Sequence, residues 1–262
     1  VRALRTAASG MLAQQLNVDV ISNNIANMNT VGFKRQRAEF QDLLYQNVAR
    51  AGTQSSASGT VVPTGVQVGS GVRPGAVYRI LEQGTVTRSD NPFDIAIQGA
   101  GYLQVTMPSG ETAYTRAGNL STNAEGQLVT HEGYLLQPGI TVPEGARQVT
   151  IAADGQVQVA IDGQTEPQTV GQIELAAFLN EAGLEAMGGN LFMQSGASGA
   201  PQTGTPGTPG FGRLLQNYTE ASNVDAVSEI TALITAQRAY EMNSKVISAA
   251  DEMLSTANQL KQ

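Results

Sequence analysis

From Asn223 to Leu260 the chain reads "NVDAVSEITALITAQRAYEMNSKVISAADEMLSTANQL", without a single glycine or proline. In a chain with 29 glycines among 262 residues, that uninterrupted stretch is the strongest constraint on the fold. Leu233, Tyr240, Ile247 and Leu254 recur at every seventh position, and Ala236, Ala250 and Ala257 follow three residues behind. Ala232, Ala239, Val246, Met253 and Leu260 flank them. A seven-residue repeat is the a/d seam, of period 3.5, by which one helix pairs with another. At about 1.5 Å per residue the helix extends beyond roughly 50 Å, long for a domain of this size. Ser222 or Asn223 is placed to cap its start, and Asp225 suits the positive helix end.

The other end of the chain repeats the pattern. A helix is expected from about Arg2 to Asn27, with Leu4, Met11, Val18 and Ile25 seven apart and Ala7, Gln14, Ile21 and Met28 between them. The seam is thin: Gln14 interrupts it and alanine dominates its first turn. Taken alone it also fits a surface helix packed on its own domain. Two seven-period helices at opposite ends of one chain favour pairing of the termini. Where the first helix finishes, "SNNIANMNTVGFKR" concentrates Asn23, Asn24, Asn27 and Asn29. Asparagine competes for nearby backbone groups, so it ends helices rather than extending them.

The middle has a different period. From about Val61 to Phe192, short alternating runs are separated by Gly, Asp and Asn. "DIAIQGAGYLQVTM" reads as strand, tight glycine turn, strand. "QLVTHEGYLLQ" and "QVTIAADGQVQVAIDGQT" repeat this, with Asp154-Gly155 and Asp162-Gly163 as hairpin turns. The result is an α+β chain: paired N- and C-terminal helices forming a coiled-coil domain, with an inserted, mostly antiparallel β domain. "SGASGAPQTGTPGTPGFG", residues 195–212, has the composition of a linker returning to the C-terminal helix. "RAGTQSSASGT" joins the first helix to the β region as an extended arm or a loop, and its composition favours the loop.

Little in the sequence supports catalysis. With no cysteine, disulfides and thiolate metal sites are excluded. The one histidine, His131, has no partner at ligand spacing and reads as a hairpin-turn residue. "GAG" at 99–101 precedes a strand, not the helix a dinucleotide loop requires. Asp154 and Asp162 do not match a calcium loop. There is no G-x-S-x-G elbow. Asp90, Asp94 and Glu125 sit in turn-like contexts, although glycosidase carboxylates need not be close in sequence. No cofactor is expected. A formal charge of −7, with only Lys34, Arg35 and Arg37 clustered, opposes nucleic-acid binding. No apolar run approaches the roughly 20 residues of a membrane helix, and the first 20 residues lack the apolar core of a signal peptide. The composition is that of an interaction protein.

Two long motifs give that reading a family. "SNNIANMNTVGFKRQRAEFQDLL" resembles the N-terminal signature of the axial proteins of the bacterial flagellum, and "SNVDAVSEITALITAQRAYEMNSKVISAADEML" resembles their C-terminal signature. Between them, "GSGVRPGAVYRILEQGTVTRSDNPFDIAIQGAGYLQV", "AYTRAGNL", "GQLVTHEGYLL" and "VGQIELAAFLNEAGLEAMGGNLF" are similar to the distal-rod branch, so the resemblance spans essentially the whole chain. "QNVARAGTQSSASGTVVPTGVQVGSGVRP" separates it from the hook branch, which is generally shorter here and has a much larger central region. Proximal rod subunits share the ends but match this middle less well. Thr219 and Tyr102-Leu103 depart from the commoner pattern without disturbing the assignment.

The resemblance implies a structural subunit of the distal rod, located in the basal body where the rod spans the periplasm and exported without a cleaved signal peptide. It implies partners as well: further copies of itself in a helical homopolymer, proximal rod subunits, the hook protein, the surrounding P- and L-ring proteins, and the flagellar type III export apparatus. The corresponding organisation is an N-terminal helix in 1–35, an extended connector with a rod-specific segment in 36–80, an outer β domain in 81–195, a return linker in 196–222 and a C-terminal helix in 223–262. The rod-specific segment, Gln46 to Gly65, is associated in the family with stiffness. The expected subunit contacts are Asn23, Asn24, Asn27, Asn29, Thr30, Gly32 and Phe33 on the first motif. On the second they are Asn223, Val224, Gln237, Arg238, Tyr240 and Asn243. Gly32 would supply a left-handed turn, and Phe33 and Phe40 would anchor the connector onto the C-terminal helix. A hook or proximal rod subunit, a wall-cutting glycosidase and a β-rich adhesin are the alternatives.

Overall fold

The computed structural model describes residues 2–49, 64–161 and 166–259. The expected Asp162-Gly163 turn, most of the Gln46–Gly65 segment and Leu260 lie outside the described residues. The chain divides into two compact units. The first comprises Val1–Ile25, Gln36–Tyr78 and Asp225–Gln262, and the second comprises Ala26–Arg35 and Arg79–Val224.

The first unit is built on two helices, α1 (Arg2–Ala26) and α2 (Ala226–Gln259). Between them in sequence come β1 (Gln36–Asp42), β2 (Tyr45–Ala49), β3 (Val66–Gly69) and β4 (Val72–Arg79). β1 pairs with β4, and β2 pairs antiparallel with β3. Asn24 of α1 donates to the Glu229 carboxylate of α2 at 3.1 Å. Further along, Gly10 of α1 faces Asn243 of α2 so closely that a Cβ at position 10 would lie 2.9 Å from Nδ2. Fourteen residues back along α1, from Asn24 to Gly10, thus correspond to fourteen forward along α2, from Glu229 to Asn243. The helices run side by side in opposite directions over that stretch.

Burial follows the repeat in part. On α2, Ala236 and Ala250 are buried and Leu233 and Ile247 half-buried, but Tyr240 is 43% and Leu254 40% exposed. On α1, Ala7 and Ile21 are buried while Leu4, Met11, Val18 and Ile25 are half-buried. Ala13, Val20 and Asn24 are buried too. These three continue at helical spacing from Ser9, whose hydroxyl accepts from Val72 N–H at 3.2 Å beside the β3–β4 turn. A second neighbour therefore widens the buried stripe of α1 beyond the seam. The start of α2 also differs from expectation. Asp225 is the cap: its carboxylate accepts from the Ser228 N–H at 3.2 Å and from the Ser228 hydroxyl, and its carbonyl accepts from Glu229 N–H at 3.0 Å.

The second unit is antiparallel β throughout its described pairings. Its strands are β5 (Val86–Arg88), β6 (Ile95–Gln98), β7 (Tyr102–Thr106), β8 (Thr112–Thr115), β9 (Leu120–Thr122), β10 (Leu128–Thr130), β11 (Leu135–Leu136), β12 (Ala146–Ile151), β13 (Gln156–Ile161) and β14 (Gln168–Gln172). β15 (Leu175–Ala177), β16 (Glu185–Gly188), β17 (Leu191–Met193), β18 (Gln202–Gly204), β19 (Arg213–Gln216) and β20 (Tyr218–Glu220) follow. The largest sheet runs β16-β17-β8-β7-β11-β10-β9, with β15 joining β7 to β18. β12, β13 and β14 form a three-stranded sheet. Alternation places one face of each strand inward, so Val157 and Val159 of β13 join Leu103, Leu128, Ile173 and Leu175 in one fully buried cluster.

The Asp154-Gly155 turn forms as the sequence indicates, with Gly155 at φ 89° and Ala152 N–H bonded to Gln156 C=O at 2.9 Å. Residues 99–101 do not close a hairpin. β6 pairs with β19, whereas β7 pairs with β8, β11 and β15, so the glycines carry the chain from one sheet to another. Nor is 196–222 a plain linker, since β18, β19 and β20 lie within it. Its prolines and glycines mark tight turns between these strands, as at Gly207 and Gly210, both of positive φ.

A second, aromatic cluster gathers Tyr102, Tyr114, Phe178 and Phe192. Tyr102 donates to Glu181 at 2.8 Å, and burial foremost, then the Glu181 charge, raises its pKa above the ordinary 10.0. A raised phenol contributes stability below pH 10 that is lost as pH climbs past it. Alkaline titration should therefore destabilise the parent more steeply above about pH 10 than Tyr102→Phe, as read by thermal unfolding at successive pH values.

Candidate functional site

The asparagine-rich end of α1 is a compact joint. Asn24 is 1% exposed, and its side-chain amide behaves like a strand neighbour of Gln36. It donates to Gln36 C=O and accepts from Gln36 N–H, both at 2.8 Å, while its other hydrogen goes to Glu229. One amide thus joins the end of α1, the start of β1 and the first turn of α2. A planar group with two donors and an acceptor is needed for this, which asparagine has and aspartate lacks. Asn24→Ala should destabilise the first unit by about 1–3 kcal/mol, because it leaves buried backbone groups unpaired. Asn24→Asp should be worse, since it sets a carboxylate against Glu229. Denaturant unfolding of the helices reads both effects.

Beyond Ala26 the chain turns. Thr30 donates its hydroxyl to the Asn27 carbonyl oxygen of the side chain at 3.1 Å and its N–H to Asn27 C=O at 3.2 Å. Val31 C=O accepts from the Asn190 amide at 2.9 Å. Gly32 has φ 72°, and a Cβ there would meet Ala117 N at 2.8 Å, so both conformation and space exclude a side chain. Asn23 and Asn29 are exposed, and Phe33 is half-buried, as is Phe40 on β1.

At Lys34 the sequence misleads. In the basic trio it looks like a surface charge, yet it is 4% exposed. Its ammonium group donates to the Glu220 carboxylate and, at 2.9 Å, to Glu82 C=O. Arg116 binds the other oxygen of Glu220, through Nε at 3.0 Å and with Nη2 also 3.0 Å away. The remaining Arg116 donors reach the carbonyls of Ile97, Gly99 and Gly101. Gly84 N–H completes the carboxylate's set at 3.0 Å. Burial pulls the Lys34 pKa down, and the hydrogen bond and charge of Glu220 partly restore it. No local pattern identifies this triad, because its members lie far apart in sequence.

The second motif also divides. Val224 and Asn223 are half-buried, and Asn223 binds three backbone groups instead of capping α2. Gln237 and Arg238 are exposed on α2, and Asn243 lies in the contact with Gly10. The structure brings Asn24 and Asn243 onto the facing sides of the two helices. The carboxylates considered for catalysis serve turns: Asp94 accepts from Ser89 and from Asn91, and Asn123 organises the Glu125 turn. Among the described residues no three acidic, His or Cys groups cluster as a metal site, and no helix is long and apolar enough to cross a membrane.

Exposed apolar side chains distinguish α2 most. Val227, Ile230 and Ile234 form a stripe at spacings of three and four on one side of the buried seam. Val246 and Met253, seven apart, lie on the other side, with Met253 65% exposed. A surface helix of a finished domain places such residues inward.

Family comparisons cover both ends and the β unit. The family described as "Flagella basal body rod protein" matches residues 4–34, "Flagellar hook protein FlgE/F/G D1 domain" matches 96–159, and "Flagellar basal body rod FlgEFG protein C-terminal" matches 215–260. The flagellar basal-body rod protein FlgG of Caulobacter vibrioides is 72% identical, over 100% of both chains. That of Agrobacterium fabrum is 51% identical over 97% of each, and that of Bacillus subtilis 39% identical over 100% of this chain and 99% of its own. With both terminal motifs and the whole length matched, the chain belongs to the FlgG family of flagellar basal-body rod proteins.

Proposed function

We propose that this structural rod subunit forms the distal rod, stacking helically into a rigid hollow shaft that transmits torque and conducts exported subunits. The exposed apolar flanks of α2 are the observation that supports this best. A helix with one seam facing α1 and an uncovered apolar flank on either side needs lateral neighbours, and a non-closing helical array supplies them. Within each subunit, α1 and α2 would pair as an antiparallel coiled coil whose small residues, Ala7, Gly10, Ala236 and Ala250, permit close approach. Exposed Asn23, Asn29, Gln237 and Arg238 would contact adjacent subunits. Asn24, Asn27, Thr30, Gly32, Phe33, Asn223, Val224 and Asn243 would set the geometry from which those contacts are made, with Tyr240 at the edge of the seam.

Charge supports the same reading. The first unit holds eight basic and eight acidic residues, and the second seven basic and fourteen acidic. A neutral unit can crowd against its copies, while an acidic one resists adhesion, as suits a turning shaft. The remaining partners follow from that position: proximal rod below, hook protein above, the P and L rings around, and the type III apparatus at the base, with the rod crossing the periplasm.

Complementation of a strain lacking its distal rod protein, with a label located in isolated basal bodies, tests the reading. Label along the distal rod with restored motility supports it. Label confined to the hook or proximal rod overturns it. Asn29→Ala should shorten or weaken rods in the same strain while leaving the β unit folded.

A further inference from the structure

The first and last segments of the β unit touch. Gly32 N–H donates to Glu220 C=O at 2.8 Å, and three residues further along both segments Arg35 N–H donates to the Asn223 side chain at 2.7 Å. Residues 32–35 and 220–223 therefore lie side by side and run in the same direction. Between those two bonds, the Lys34 ammonium group donates to the Glu220 carboxylate. All of these atoms belong to one unit, Ala26–Arg35 with Arg79–Val224. We propose that this parallel pair is a mechanical clamp, which holds the β unit closed against tension arriving along the chain from α1 and α2.

The direction of the pair decides how it bears load. Tension from α1 enters the unit at Ala26, ahead of Gly32, and tension from α2 enters at Val224, just past Asn223. Parallel segments pulled from opposite ends slide lengthwise, so their bonds must fail together. An antiparallel pair pulled from one end would open bond by bond. The load also crosses from one segment straight to the other, which relieves everything between them, residues 36–219.

Both halves are anchored from behind. β20 pairs with β5, and beyond it Ala221 N–H donates to Thr85 C=O at 2.9 Å. The Asn223 amide donates to Ile80 C=O at 2.9 Å and Glu82 C=O at 3.0 Å. The Glu220 carboxylate also holds Arg116 and Gly84 N–H. On the other half, Val31 C=O accepts from Asn190, and Arg35 C=O accepts from Ile80 N–H at 2.8 Å. Lys34 is 4% and Glu220 1% exposed, so their bond acts in a low-dielectric surrounding where leaving either group unpaired is costly. This bracing is internal to the β unit and holds wherever the subunit sits, while its use in carrying torque rests on the proposed function.

The chain has no cysteine, so thiol handles can be placed at will for single-molecule pulling of the full chain. With handles at Val1→Cys and Gln262→Cys, the clamp should yield in one step that releases residues 36–219, roughly 600 Å of chain. Release of residues 36–78 in a separate step before the β unit yields would overturn the clamp. Asn223→Ala, which removes the Arg35 bond, should raise the unfolding rate at a given force about tenfold along this axis. With handles instead at the exposed Glu125→Cys and Glu185→Cys, the load bypasses both segments, and the same change should leave the rate within about twofold of the parent. A rate that is unchanged end to end, or raised equally along both axes, would show ordinary stabilisation and refute the clamp. If Asn223→Ala does not fold, the release step of the parent decides alone.

Discussion

Glu220→Ala is expected to destabilise the β unit by about 3–5 kcal/mol, among the largest effects available from one side chain. The reason is not the loss of one favourable pair. Two buried cations, Lys34 and Arg116, whose side chains are only 3% and 6% exposed, lose the carboxylate that pairs with both. In a unit of this size each kcal/mol shifts the melting midpoint by about 2–4 °C, so calorimetry should see a fall of roughly 6–20 °C. The double variant Lys34→Met with Glu220→Ala should recover part of the loss, since it removes one orphaned charge. The pH dependence has a definite sign. Lys34 already titrates below 10.5 because it is buried, and without Glu220 it should do so more strongly. Between its folded pKa and 10.5 the unfolded chain binds the extra proton, so stability rises with pH there. The deficit of Glu220→Ala should shrink as pH approaches 10, and a deficit independent of pH would mean that Lys34 finds another partner.

Polymerisation should respond most to the flank of α2. Ile230 and Ile234 are about half exposed, at 49% and 47%, so each retains about half its burial free energy for a neighbour. Full burial of such a side chain contributes about 1.5–3 kcal/mol. Ile230→Ser with Ile234→Ser should therefore weaken subunit addition by about 1.5–3 kcal/mol. At 1.4 kcal/mol per decade the critical concentration rises roughly 10- to 140-fold. Serine and isoleucine have similar helix propensities, so α2 itself should survive, and the melting of the β unit should not move. Sedimentation of polymer against total chain measures the change. A critical concentration equal to the parent's would remove this flank from the interface.

Both helices were legible in the sequence because a long repeat free of glycine and proline admits few other structures. The Asp154-Gly155 hairpin was legible because its turn chemistry is local. What escaped has a common cause. Glycines 99–101 announce a change of direction, but nothing nearby says that β6 will pair with β19, over a hundred residues on. The Gly/Pro run at 195–212 has a linker's composition, yet the same residues form tight turns, and only the distant strands β5, β6 and β15 distinguish the two. Asp225 displaced Ser222 and Asn223 as the cap because Asn223 is held by Arg35, Ile80 and Glu82, none of them local. The triad is the extreme case, with Glu220 lying 186 residues from Lys34 and 104 from Arg116. Lys34 stands in a basic run and Glu220 in a polar one, so neither their burial nor their pairing can be read from spacing.

The uneven division of charge has a consequence for solution behaviour. Lys34, Arg116 and Glu220 are sealed inside the β unit, which leaves that unit five basic against thirteen acidic residues. Screening reaches about 30 Å in 0.01 M salt and about 8 Å at 0.15 M. In dilute buffer, acidic units of neighbouring copies would repel across nearly four times the distance, while the helical unit, with no net charge, would feel little of this. Ionic strength thereby becomes a control on how densely subunits pack that bypasses the alanine seam altogether.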